Sequence, residues 1–231
     1  MRRIVATLVV ALLVSPALAA VVPNDRENTA GNATFLGPLA SAARTYQLLI
    51  DDTQLTGLAG QQLSGITWRL NSAATANFPA ADSNFASFDV RLSDSVDPVN
   101  RSLTFANNVV GAQTLVRSGP LTIPAGSFPA TTAPHPFGMV INFDTPYNYT
   151  GGNLLIELRH TGLVGGSSSV DAISTSTAPY GTGVSAAWTS SYTGVTGAQG
   201  NAVITMISVV PEPGAVSLAL GGALLALRRR R

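Results

Sequence analysis

The sequence predicts an all-β protein, an antiparallel β-sandwich most simply arranged as a jelly roll, with an immunoglobulin-like sandwich as the alternative. Three observations predict it. Short apolar runs alternate with polar residues at period two, and clusters of Gly, Pro, Asn, Asp and Ser punctuate them at roughly 10–20-residue spacing. No apolar stripe at helical spacing occurs outside the two chain ends. The chain has no cysteine, so the Cys…Trp…Cys spacing of an immunoglobulin domain is missing.

Residues 20–34, AVVPNDRENTAGNAT, are polar and turn-rich and read as a flexible leader to a domain over 35–210. TYQLLID (45–51) reads as a strand, and the stretch after it as a loop with a strand fragment. GITWRLN (65–71) sets Ile66, Trp68 and Leu70 on one face and Thr67 and Arg69 on the other. FASFDVRLS (85–93) repeats the pattern, with Phe88, Val90 and Leu92 inward and Asp89 and Arg91 outward. SLTFAN (102–107), TLVRSGPLTI (114–123) and PFGMVINFD (136–144) read as further strands. In NLLIELRHTG (153–162), Leu154, Ile156, Leu158 and His160 share one face, and Leu155, Glu157 and Arg159 the other. Residues 162–200 are rich in Gly, Ser and Thr and read as long surface loops around weak strands, with disorder an alternative for 164–170. NAVITMISVV (201–210) is the final strand.

The two ends carry a different signal. Arg2 and Arg3 precede an apolar run, Pro16 breaks it, and Ala17-Leu18-Ala19 fits the small-residue rule for signal peptidase, giving a signal peptide over 1–19. At the other end, Pro211-Glu212-Pro213 is followed by the apolar run Ala215–Leu227 and by Arg228, Arg229, Arg230 and Arg231. As a helix that run rises only about 20 Å, a marginal anchor against a ~30 Å hydrocarbon core. Four cations resist crossing and stop transfer, which holds the run in the inner membrane with the domain outside. The two prolines keep Glu212 in extended, accessible chain. Both flanking apolar segments are expected to be helical.

This ending, residues 211–231, resembles the PEP-CTERM sorting tail. The resemblance implies recognition by an exosortase, a membrane-embedded processing enzyme, with transient inner-membrane anchoring and cleavage near the motif. It also implies release to the cell envelope, surface or exterior and association with exopolysaccharide production. The strand segments over about 35–165 resemble the β-rich domain of unknown function common in such proteins, which adds a fold expectation and no chemistry.

Composition narrows the function. Of 13 cationic residues, all arginine, six lie in the terminal segments 1–19 and 211–231, as does one of the 12 acids. Seven arginines against eleven acids leave a domain of net charge −4, which disfavours nucleic acid. Without cysteine there is no thiol catalysis and no cysteine metal site. Neither His135, in a proline turn, nor His160 sits in a nucleophile motif, so no catalytic residue, cofactor or metal ligand is assigned. Asp94 and Asp97 in LSDSVDP could hold Ca²⁺, but the EF-hand spacing is absent. Three readings stay open: a non-catalytic envelope or matrix protein, a carbohydrate-binding module, and a glycan hydrolase using loop carboxylates. Candidate sugar-stacking rings are Tyr147 and Tyr149, and Trp188 and Tyr192, each pair sharing strand parity and expected to be exposed.

Overall fold

The computed structural model describes residues 19–211; the expected signal and tail helices lie outside them. Fifteen strands form among these residues: β1 Ala19–Val22, β2 Ala33–Phe35, β3 Arg44–Ile50, β4 Gln62–Trp68, β5 Ser83–Phe85, β6 Phe88–Ser95, β7 Val109–Arg117, β8 Leu121–Ile123, β9 Ile141–Asn148, β10 Leu154–His160, β11 Val170–Ile173, β12 Val184–Thr189, β13 Ala198–Gln199, β14 Ala202–Val203 and β15 Thr205–Val209. The described residues are all-β, and every pairing between these strands is antiparallel. A six-stranded sheet runs β13-β12-β3-β10-β6-β7 and a four-stranded sheet β1-β15-β4-β9, with smaller sheets β14-β11-β2 and β5-β8.

One apolar cluster joins the two large sheets. Tyr46, Leu48 and Ile50 of β3, Val90 and Leu92 of β6, and Leu154, Ile156 and Leu158 of β10 meet Leu63, Ile66 and Trp68 of β4 and Ile207 of β15. The period-two alternation therefore selects the inward faces as expected. Trp68 is buried, in register with Ile66 and Leu70, and its indole N–H donates to Thr205 Oγ1 at 3.2 Å. Gly65 lets β9 come close: a Cβ there would sit 2.6 Å from Val140 Cγ1.

The structure corrects the sequence in several places. The leader is ordered: β1 pairs with β15, β2 pairs with β11, and Arg69 binds the segment between them. SLTFAN is not a strand but leads into a 3₁₀ turn over Phe105–Asn108. There the Asn108 side chain accepts from Ser102 N–H and donates to Ser102 C=O, a local closure that competes with a strand ladder. TLVRSGPLTI splits at Gly119 into β7 and β8, which belong to different sheets. Residues 162–200, read as surface loops around weak strands, do contain strands, but β11 is buried throughout and the first four residues of β12 are buried beside β3.

The outer face of the six-stranded sheet is the largest surprise. Asp89 and Glu157, expected in solvent, are both buried, as are Leu49 and Leu155 beside them. The segment through Phe105 covers that face: Gln47 Nε2 donates to Phe105 C=O at 3.1 Å, and Asn108 Nδ2 donates to Gln47 Oε1 at 2.7 Å.

Candidate ligand cleft

Antiparallel register lines up the polar side chains of that outer face in rungs. One rung is Gln47–Glu157–Arg91, across β3, β10 and β6; the next is Thr45–Arg159–Asp89. Glu157 sits at the centre. Its Oε1 accepts from Arg159 Nε at 2.7 Å and from Arg91 Nη1 at 3.5 Å, and its Oε2 accepts from Gln47 Nε2 at 2.7 Å. The Glu157 side chain is 2% exposed, while those of Arg159 and Arg91 are 18% and 30% exposed, so both arginine side chains reach water.

Asp89 occupies the next rung. Burial would raise its pKa, but hydrogen bonds from Tyr192, Ser118 and Gly119 and the charge of Arg91 outweigh this and hold it below the usual carboxylate value. The Tyr192 hydroxyl donates to Asp89 Oδ2 at 2.6 Å.

Edge strand β7 completes the site by bulging. Leu92 faces Thr114 and Asp94 faces Val110, so residues 111–113 lie opposite the single residue Ser93. Gly111, at φ +69°, makes the bend. The bulge sets Gln113 in the wall of a cleft of about 360 Å³, shared with Glu157, Arg159, Phe105, Val109 and Val195. Gln113 Nε2 is buried there without a hydrogen-bond partner, and Ser93 Oγ likewise. A larger depression of about 600 Å³ between residues 73–83 and 164–168 has Asp82 as its one charged lining residue and offers little chemistry.

The rings singled out from the sequence lie elsewhere, and the expectation that they are exposed pairs on strand faces is corrected. Tyr149 is buried and its hydroxyl donates to Gly152 C=O; burial, then nearby Asp52 and Asp94, push its pKa up to about 12. Tyr147 is half-buried against the core opposite Leu63. Trp188 packs edge-on against Phe35, ring centroids 5.5 Å apart, with the Arg44 guanidinium 5.0 Å from its own centroid. Tyr192 lies beyond the end of β12 and is committed to Asp89, so it does not share a strand face with Trp188. Asp97 accepts from Asn153 Nδ2 at 2.6 Å, and Asp94 is exposed one residue before the end of β6. No cluster of three or more His, Cys, Asp or Glu suited to a metal ion occurs among the described residues.

His160 takes the apolar face as expected. It is buried between Phe85 and Phe88, stacked on the latter at 5.6 Å, with Nε2 2.7 Å from Gly37 C=O. His135 is also buried, and its Nδ1 accepts from Thr131 N–H at 3.0 Å.

Of the sorting residues only Pro211 is described, exposed just past β15; Glu212, Pro213 and Arg228–Arg231 lie outside the described residues, as does Ala17. Ala19 opens β1 opposite Ser208, and Val210 N–H donates to Gln62 C=O at 2.8 Å, so both ends of the described chain leave from the same end of the four-stranded sheet. Among the described residues no helix is long and apolar enough to cross a membrane.

The cleft escaped the sequence reading. A signal for it was present: charged residues at outward positions of two separate strands, and a glycine inside the apolar pattern of a third. Compared with known proteins, the chain matches no family model, no curated protein and no solved structure.

Proposed function

We propose that this is an exported, non-catalytic protein of the cell envelope or extracellular matrix, freed from its signal by signal peptidase and processed near Pro211-Glu212-Pro213 by an exosortase-type enzyme. We read its two large sheets, which share one core, as a β-sandwich of jelly-roll topology. One observation carries the proposal beyond the sequence motifs: β1 and β15 are antiparallel neighbours with Ala19 opposite Ser208. Signal and tail would thus depart from one edge of the domain, so that a single membrane face can hold both while the rest folds away from it. Pro211 is exposed just past β15, which suits access by a membrane enzyme.

Mass spectrometry of the exported protein tests this. The mature species is expected to lack residues 1–19 and most or all of 211–231. Alanines in place of Pro211, Glu212 and Pro213 are expected to leave a membrane-held precursor. Extracellular protein still ending in Arg231 would overturn the reading.

A second reading, carbohydrate binding with exopolysaccharide as partner, is favoured by the cleft beside Glu157 and Arg159 and not by the aromatic pairs, of which Tyr149 is buried and the other three are part-buried and already engaged by neighbours.

A further inference from the structure

We propose that the cleft between β7, β10 and the Phe105 segment binds one unit of a neutral, hydroxylated ring, a pyranose sugar, through Gln113, Glu157 and Arg159. The inference rests on the carbohydrate reading and gives it a site and a ligand class.

The hydrogen-bond inventory of the three residues is incomplete in a complementary way. Gln113 Nε2 is a buried donor with nothing to bond, a standing free-energy cost that a ligand oxygen would relieve. Arg159 commits Nε to Glu157 and Nη1 to a long 3.4 Å contact with Tyr192 C=O; Nη2 makes no hydrogen bond among the described residues. A carboxylate has about four acceptor sites, and Glu157 uses three. Two donors and one acceptor therefore remain beside each other. Adjacent hydroxyl groups, each both donor and acceptor, match that set.

Shape and charge narrow the ligand further. At about 360 Å³ the cleft is at the small end of ligand sites. Val109 and Val195 supply an apolar wall against which the C–H face of a sugar ring can lie. Arg91 and Arg159 are balanced by Glu157 and Asp89, and the domain as a whole is net −4. No excess positive charge awaits an anion, and long-range repulsion works against a polyanion. The ligand is a neutral sugar and not a uronate.

The full chain, purified in detergent, is titrated by calorimetry with neutral hexasaccharides of glucose, mannose and galactose and with hexagalacturonate. At least one neutral hexasaccharide is expected to bind. Gln113→Leu keeps the volume and removes the donor. It is expected to weaken that binding about tenfold or more, with a melting temperature unchanged or raised, because the Gln113 amide N–H₂ has no hydrogen bond in the fold to lose. Val195→Arg, at an exposed position on the rim, is expected to block the cleft without touching the core. Preference for hexagalacturonate would overturn the neutral ligand class but leave carbohydrate binding standing. Binding insensitive to both substitutions would overturn the site, as would a Gln113→Leu protein of lowered melting temperature. Failure to bind any of the four sugars would sink the carbohydrate reading together with this inference.

Discussion

Two clusters in this protein bury a carboxylate against arginine, and they are built in opposite ways. Arg69 and Asp171 are 1% and 2% exposed, and each guanidinium nitrogen and both carboxylate oxygens have a partner inside the protein. Arg69 Nε donates to Asp171 Oδ2 at 2.9 Å, and its terminal nitrogens donate to the carbonyls of Arg26, Glu27 and Thr29. Asp171 also accepts from Gly31 N–H through both oxygens. The pair is closed: its hydrogen bonds are spent on tying the N-terminal segment to β4 and β11. Glu157 is as deeply buried, but its arginines reach water and its neighbour Gln113 has an unspent donor. Burial of charge is tolerable when every group is paired. A cluster that meets this condition internally is architecture. One that meets it only in part has capacity for something outside the chain.

The comparison can be broken by substitution. Arg69→Met should have the largest effect, because it strands the buried Asp171 carboxylate and cuts three hydrogen bonds that hold the N-terminal segment. A cost of about 3–5 kcal/mol is expected for a broken buried pair, a large share of the ~5–15 kcal/mol of a typical domain. Urea unfolding would read it, and limited proteolysis should show residues 23–31 released first. A loss under about 1 kcal/mol would mean the closed cluster is not structural.

His160 shows a third solution, burying a basic group without charging it. Desolvation lowers its pKa from 6.5 to about 4, with the carbonyl of Gly37 opposing and Arg44 assisting. Between those values the unfolded chain binds the proton and the folded chain does not. Its contribution is therefore complete above pH 6.5 and is lost as pH falls towards 4, by at most ~3 kcal/mol. Stability measured from pH 7 to 4 should fall more steeply in the wild type than in His160→Gln; parallel curves would contradict the buried neutral imidazole.

Glu157→Gln should have the smallest effect of the three. The amide keeps the shape and can still accept from Arg159; it loses the bond from Gln47 Nε2, which keeps its bond to Phe105 C=O, and both arginines are partly solvated, so about 1–2 kcal/mol is expected by denaturant titration. A cost equal to that of Arg69→Met would erase the distinction between open and closed clusters.

The sequence carries one face of each sheet and little of the other. Alternation over residues 65–70 and 154–160 suffices to put Trp68 and His160 inside, because period two is a property of the strand itself. The same alternation assigns Glu157 and Asp89 to solvent. What overrules it is the Phe105 segment, whose turn is closed by Asn108 and whose docking on Gln47 crosses 58 positions of chain. The leader is misread for the same kind of reason. Its own residues show no pattern, and its order is imposed by Arg69, some 40 positions further on. β12 is hidden because Val184-Ser185-Ala186-Ala187 is small and unpatterned, although it lies buried beside β3. The cleft depends on a bulge that only register reveals.

The place of β15 between β1 and β4 has a mechanical consequence. A domain held by its C-terminal end and pulled from its far side loads β15 along its length, and the hydrogen bonds on both flanks bear the force in shear and yield together. A pull applied between the two chain ends acts on Ala19 and Ser208, which face each other, and peels β1 away one rung at a time. The same four-stranded sheet is a stiff strap towards a surface tether and a soft zipper between its own ends.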